Sequence, residues 1–116
     1  MTEFLEDGLE LFATVQVADS ARAWEWYRRL LGADWSFRAH DDEVVWELAP
    51  HRWLVVVRNE ASAGHSVVTV FVDDLDARVA DAAGRGVEPD RWERYEGDVR
   101  KALFVDPDGN EIGLGG

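Results

Sequence analysis

The sequence contains no cysteine, three prolines and one methionine in 116 residues. Without cysteine the chain has no disulfide, no thiolate nucleophile and no cysteine-ligated zinc, so the fold must be stabilised by packing alone. No segment approaches the roughly 20 consecutive apolar residues of a membrane span. The acidic opening MTEFLEDGLE also differs from the basic start of a signal peptide. These absences predict a cytoplasmic protein with no membrane partner.

Basic residues are scarce: 12 Lys and Arg against 24 Asp and Glu give a net charge of −12. The resulting negative field repels polyanions, which argues against nucleic acid as a partner and favours a cationic or neutral small molecule. A solvated acidic surface would have the same composition, so charge alone does not establish a ligand. The six tryptophans are mostly expected in the core, but any that line a cleft offer flat faces to aromatic or cationic ligands.

Two halves of the chain show the same predicted order of elements. In the first, LELFATVQVAD alternates as a strand, with Ala13, Val15 and Val17 on its core face. Asp19 is expected to cap a helix that ends at Gly32. Three strand-like runs follow, WSFRAH, EVVWELA and WLVVVRNE.

The second half begins again with the strand SVVTVFVDD. Asp74 is predicted to cap a second helix, which Gly86 ends. Three further strands are predicted, and the turn Pro107-Asp108-Gly109-Asn110 joins the last two. The chain is therefore predicted to be a single domain over residues 1–116, with repeat units at about 9–60 and 66–116.

The combination of motifs resembles the vicinal oxygen chelate superfamily, which includes glyoxalase I, extradiol dioxygenases and bleomycin-resistance proteins. The motifs are V-x-D before each helix, W-Y-x-x-x-L-G in the first helix, V-D-D-L-D-A at the second, and D-P-D-G-N near the end. Within that superfamily, the chain is most similar to the metal-free bleomycin-resistance branch. The resemblance implies an α+β fold in which two tandem βαβββ units form a curved eight-stranded sheet around a cleft, commonly in a homodimer.

The metal enzymes of that superfamily carry ligands at four positions that correspond here to Phe12, Val55, Val67 and Gly113. None of these side chains has a nitrogen or oxygen donor, so we expect no metal and no cofactor. A displaced set of Gln16, His65 and Glu111, with or without Glu47, remains an alternative. It would require several ligands to shift together while keeping metal distances near 2.1 Å.

The mixed faces of the strands are predicted to line a ligand cleft, and an ionised Glu47 or Glu111 there would favour a cationic ligand. The alternative is that Phe12, Trp53 and Phe71 fill a collapsed cleft. The predicted ligand-binding residues are Phe12, Thr14, Gln16, Glu47, Trp53, Val55, Val67, Thr69, Phe71 and Glu111.

Three functions follow from this reading. The first is a metal-independent protein that binds or sequesters a cationic or aromatic small molecule, with no catalytic residues. The second is a metal-dependent lyase, isomerase or dioxygenase with the displaced site, and the third is a structural or regulatory dimer without a ligand. The sequence leaves enzyme activity undecided but favours binding, because it contains no nucleophile elbow and no phosphate-binding glycine loop.

Overall fold

The computed structural model describes residues 8–116, which form two helices and eight strands in the repeated order predicted from the sequence. The first unit consists of β1 (Leu11–Val17), α1 (Ser20–Leu31), β2 (Phe37–His40), β3 (Glu43–Ala49) and β4 (Arg52–Arg58). The second consists of β5 (Val67–Phe71), α2 (Leu75–Gly84), β6 (Arg91–Arg94), β7 (Arg100–Val105) and β8 (Glu111–Gly115). The α+β class and the tandem βαβββ arrangement are confirmed.

The eight strands are divided between two open four-stranded sheets, one for each unit. Sheet 1 has the order β1-β4-β3-β2 and sheet 2 the order β5-β8-β7-β6. In each sheet the first strand pairs in parallel with the last, and the remaining pairs are antiparallel. Within residues 8–116, strands β1 and β5 are therefore edge strands, and no ladder joins the two sheets.

Helix α1 begins and ends at the residues that the sequence indicates. The Asp19 side chain accepts a hydrogen bond from the Arg22 backbone N–H at 3.0 Å, which satisfies one of the free amides of the first turn. Gly32 adopts a left-handed φ of 76°, a conformation that glycine adopts without the Cβ penalty of other residues. Its N–H donates to the Arg28 carbonyl at 2.8 Å.

Helix α2 departs from the prediction at its start but not at its end. Asp74 stands at the capping position, but its φ is 53° and its side chain accepts no capping hydrogen bond, so the prediction that it caps the helix is wrong. Gly86 has a φ of 90°, and its N–H donates to the Ala83 carbonyl. The Val87 N–H donates to the Ala82 carbonyl. This pair of bonds is a Schellman motif, so Gly86 does terminate the helix.

One hydrophobic core is shared by both units. Val15 and Val17 on β1 are fully buried, as the alternation in the sequence predicts, and they pack in the same cluster as Phe104 and Ile112 of sheet 2. Both helices contribute to this cluster, through residues such as Tyr27 and Ala82. We call the strand faces that contribute to it the inner faces, and the opposite faces the outer faces. Burial of each large apolar side chain contributes about 1.5–3 kcal/mol.

A buried hydrogen-bond network fixes the turn between β7 and β8 and joins it to the first unit. Asp106, which is 4% exposed, accepts hydrogen bonds from the Tyr27 hydroxyl at 2.8 Å and from the Asn110 side-chain amide at 2.8 Å. The Asn110 amide also donates to the Gln16 carbonyl at 2.9 Å, and its oxygen accepts from the Ser66 N–H at 2.9 Å. The Asp-Pro-Asp-Gly-Asn turn therefore connects both units as well as closing a hairpin.

The helices in the described part of the chain are too short or too polar to span a lipid bilayer.

We expect Asn110→Ala to lower the free energy of unfolding by about 3 kcal/mol, because it leaves several buried polar groups without partners at roughly 1–3 kcal/mol each. The measurement is urea unfolding followed by tryptophan fluorescence. Asn59→Ala is the matched control, since Asn59 is exposed and its side chain makes no capping bond; we expect a change within about 0.5 kcal/mol. Equal effects of the two substitutions would contradict the role of the network.

Candidate ligand-binding faces

The outer face of sheet 1 carries a partly exposed aromatic cluster of Phe12, Phe37 and Trp53. Phe12 lies opposite Trp53 in the ladder between β1 and β4, and their rings stack with centroids 5.7 Å apart and planes at 12°. Phe37 contacts Trp53 edge to face at 5.9 Å. Phe12 is 51% exposed, so the cluster presents aromatic surface to solvent.

Carboxylates border this aromatic cluster. The Trp53 indole N–H donates to Glu10 at 2.7 Å, and His51 Nδ1 lies 3.0 Å from the other carboxylate oxygen. These hydrogen bonds, first from Trp53 and then from His51, lower the pKa of Glu10, so it is ionised at neutral pH. Glu47 is exposed and lies opposite Trp53 in the ladder between β3 and β4. Aromatic faces beside carboxylates are the surroundings in which an organic cation binds.

The outer face of sheet 2 carries a network of paired charges instead. Arg91 donates to Glu111 at 2.7 Å and lies 3.6 Å from Glu93. The Lys101 ammonium lies 3.7 Å from Glu93 and 5.6 Å from the centroid of the Tyr95 ring. Because Arg91 compensates its charge, Glu111 is a weaker attractor of a cation than the sequence suggests.

The electrostatics of this network follow from its hydrogen bonds. The bond to Glu111 raises the pKa of Arg91, and the hydroxyl of Tyr95, which donates to Glu93, lowers the pKa of that carboxyl. The pKa of Lys101 is raised, chiefly by its contact with Tyr95. All three shifts stabilise the charged forms, so Arg91, Glu93 and Lys101 are ionised at neutral pH.

Sequence reasoning did not select Arg91, Glu93, Tyr95 or Lys101. A signal was nonetheless present, since Arg91, Glu93 and Tyr95 alternate along one face, and Lys101 lies opposite Glu93 in the hairpin between β6 and β7. Opposite charges placed across a ladder in this way would have indicated the network.

The ten predicted ligand-binding residues are split between the two sheets. The sheet 1 group contains Phe12 stacked on Trp53, Glu47 beside them, and Thr14 opposite Val55. Val55 is 7% exposed, so it supports the face and offers little contact surface. The sheet 1 group is Phe12, Thr14, Gln16, Glu47, Trp53 and Val55, and the sheet 2 group is Val67, Thr69, Phe71 and Glu111.

In sheet 2, Val67 lies opposite Glu111 and is 69% exposed. Phe71 is 66% exposed, and its ring lies over Gly115. The aromatic contacts of Phe12 and Trp53 are with each other and with Phe37, so Phe71 is not part of that cluster. The Gln16 carbonyl of the sheet 1 group accepts a hydrogen bond from Asn110, the neighbour of Glu111 in the sheet 2 group.

The four superfamily ligand positions do not fit a metal ion. Phe12 is engaged in the aromatic cluster, and Val55 and Val67 are aliphatic. At Gly113 an added Cβ would lie 2.8 Å from Lys101 Cδ, so the Lys101 side chain occupies the space that a ligand side chain would need. Across residues 8–116 no three or more His, Cys, Asp or Glu side chains group together as metal ligands would.

Glu47, the optional member of the displaced ligand set, lies far from Gln16 within sheet 1. Glu47 shares a row with Trp53 and Phe12, whereas Gln16 shares a row with Val57. Gln16 is therefore four residues, or about 13 Å, further along the strands than Glu47, and two strands away. Ligands of one ion with bonds near 2.1 Å cannot span that separation.

The sequence profile of the Glyoxalase/Bleomycin resistance protein/Dioxygenase superfamily matches residues 11–114. The chain belongs to this superfamily. A solved glyoxalase/bleomycin resistance protein from Catenulispora acidiphila is 46% identical, covers 93% of this chain and 97% of its own, and superposes with a TM-score of 0.90. None of the proteins of curated function matches the sequence.

More distant superfamily members share the fold alone. A lactoylglutathione lyase from Agrobacterium tumefaciens has 14% identity and a TM-score of 0.74, covering 95% of this chain and 94% of its own. A bleomycin-binding protein solved in complex with bleomycin has 20% identity and a TM-score of 0.72, covering 91% of this chain and 96% of its own. The fold therefore occurs both in a named lyase and in a named binding protein.

We expect Gly113→Ala to lower the free energy of unfolding by about 1–3 kcal/mol, because the new Cβ collides with Lys101. The cost should fall in a Lys101→Ala background, where the colliding side chain is shortened. Urea unfolding of both single variants and the double variant measures this coupling. The same cost of Gly113→Ala in both backgrounds would show that Lys101 does not occupy this position.

Proposed function

We propose that the protein is a metal-independent small-molecule-binding protein that sequesters an aromatic cation on the outer face of sheet 1. The observation that carries this proposal is the partly exposed stack of Phe12 on Trp53 beside the side chains of Glu10 and Glu47. An aromatic cation gains stacking and cation–π contacts from the rings and Coulomb attraction from the carboxylates.

The proposed functional form is a homodimer, in which a second copy of the chain covers this site. Residues of both inner faces pack into the shared core, and within residues 8–116 no ladder joins sheet 1 to sheet 2. Phe12, Val67 and Phe71 leave large apolar area exposed on these faces, which is typical of a protein or ligand interface. When the outer face of sheet 2 from one copy covers that of sheet 1 from another, the two groups of predicted residues enclose one cleft.

The absence of donor atoms at the superfamily ligand positions favours binding over metal-dependent lyase, isomerase or dioxygenase activity. The bleomycin-binding protein complexed with bleomycin supports the proposal as an example of this fold that holds a ligand. At 20% identity it does not specify the ligand of this chain, and the aromatic cluster and its carboxylates are the basis for the expected ligand class.

The proposal is tested by calorimetric titration with proflavine, a planar tricyclic aromatic cation, and with anthracene-9-carboxylate, a tricyclic aromatic anion of similar size. We expect saturable proflavine binding, at least tenfold weaker anthracene-9-carboxylate binding, and no effect of EDTA. Trp53→Ala should weaken proflavine binding at least tenfold, because base-like stacking on an aromatic side chain contributes roughly 1–3 kcal/mol.

Trp92→Ala is the matched control, since Trp92 is 43% exposed on β6 and contacts Arg100, outside the aromatic cluster. It should change proflavine affinity less than twofold. Sedimentation equilibrium of the same sample should give a dimer. Loss of binding after EDTA treatment, or equal effects of the two tryptophan substitutions, would refute the proposed site.

A further inference from the structure

A cavity of about 740 Å³ lies between the two units, lined mainly by inner-face residues. Its floor includes the buried side chains of Leu54 and Ile112, and its walls include the half-buried Ala13, Val68 and Val70. Trp53 of β4 and Thr69 and Phe71 of the edge strand β5 also line it, so the cavity adjoins the outer faces of both sheets. The volume lies within the range of roughly 300–1,000 Å³ that is usual for small-molecule sites.

The cavity is lined by three arginines that have no carboxylate partner within residues 8–116. Seven of the 12 basic residues lie within 4.0 Å of a carboxylate in residues 8–116. Of the other five, Arg52, Arg78 and Arg85 all line this cavity, while Arg38 lies over two tryptophan rings and Arg94 lies elsewhere. In a chain with twice as many acidic as basic residues, this concentration of uncompensated cations distinguishes the cavity from the rest of the surface.

Two of these guanidinium groups are held in place by backbone carbonyls. Arg85 Nε donates to the Arg29 carbonyl at 2.5 Å, and its Nη2 donates to the Leu30 carbonyl at 3.2 Å, so it is fixed at the C-terminal end of α1. Arg78 Nε donates to the Asp73 carbonyl at 3.2 Å. Such bonds position a guanidinium without neutralising its charge, and they leave other N–H groups available to an anion.

Aspartates are present at the cavity but do not pair with these arginines. Asp73 and Asp81 line it, yet neither carboxylate lies within 4.0 Å of an arginine nitrogen among the described ion pairs. Three arginines and two aspartates therefore line the cavity. The net charge of these lining residues is positive, although that of the whole chain is −12.

We propose that this cavity is a second ligand site, for an amphipathic carboxylate such as a medium-chain fatty acid. The apolar floor and walls take the hydrocarbon chain, and burial of each methylene contributes about 0.8 kcal/mol. The fork of N–H donors on an arginine matches a carboxylate in a bidentate arrangement, which a hydroxyl head group cannot reproduce. The site differs in place and in ligand charge from the proposed cation site on the outer face of sheet 1.

Calorimetric titration of the full-length chain with decanoate and with decan-1-ol tests this proposal. We expect saturable decanoate binding and at least tenfold weaker binding of the alcohol, because the chain length is equal and the charged head group differs. Arg52→Gln and Arg78→Gln should each weaken decanoate binding three- to tenfold. Proflavine binding should stay within twofold of wild type in both variants, which separates this site from the cation site.

Arg94→Gln is the matched control, because Arg94 is exposed, also lacks a carboxylate partner among residues 8–116, and lies outside the cavity. It should leave decanoate affinity within twofold of wild type. Equal binding of alcohol and acid, no saturable decanoate binding, or equal weakening by Arg94→Gln would overturn the proposal. A change in sedimentation mass of the Arg52 and Arg78 variants without a change in decanoate affinity would also overturn it, and would identify this surface as a subunit contact.

Discussion

The hydrogen-bond network around Asp106 is the constraint on which the arrangement of the two units depends. A buried carboxylate is costly unless its oxygens accept hydrogen bonds, and those of Asp106 accept from the Tyr27 hydroxyl, the Asn110 side chain, and the backbone N–H groups of Asp108 and Asn110. Burial, followed by the nearby Asp106 charge, raises the pKa of Tyr27, so its hydroxyl remains protonated and continues to donate.

The same network explains why the outer faces remain open. Asn110 joins the β8 turn to Gln16 at the end of β1 and to Ser66 at the start of β5. Because the network holds the two units together, residues of both helices and both inner faces pack into one core. The outer faces are left with Phe12, Val67 and Phe71 exposed.

The two outer faces differ in the groups that lie beside their carboxylates. On sheet 2, Arg91 and Lys101 provide cations that compensate Glu93 and Glu111, and Lys101 also occupies the space beside Gly113. On sheet 1 the aromatic rings border carboxylates, of which Glu10 is bonded to Trp53 and His51. The protein therefore supplies its own positive charge on one face and leaves the other suited to a cation from solution.

The sequence predicts the parts of this structure that depend on local chemistry. Asp19, Gly32 and Gly86 mark helix ends, because capping and left-handed geometry are properties of single residues and their neighbours. The alternation in β1 likewise identifies Val15 and Val17 as core, since one face of that strand is buried. The turn at Asn110 was predicted as a turn, but its bonds to Gln16 and Ser66 join residues far apart in the chain and leave no local signal.

Other features depend on tertiary structure and could not be read from local pattern. Asp74 resembles Asp19 in sequence context, yet its left-handed backbone prevents the same cap. Trp46 and Leu48 share one face of β3 and Glu47 lies on the other, and tertiary packing decides which of these faces is buried. The structure packs Trp46 and Leu48 against the core, with the Trp46 indole donating to the Ala33 carbonyl, and so Glu47 lies on the outer face. The division of the predicted ligand-binding residues between two sheets also follows from long-range packing.

Metal independence is tested most directly by two measurements. Elemental analysis gives the metal content of protein purified without chelator. Thermal unfolding gives the melting temperature in the presence of Zn²⁺, Ni²⁺, Mn²⁺ and Fe²⁺. The absence of donors at Phe12, Val55, Val67 and Gly113 predicts far less than one metal ion per chain and no rise in melting temperature. Stoichiometric metal that raises the melting temperature by several degrees, as binding to the native state requires, would contradict a function based on shape and charge alone.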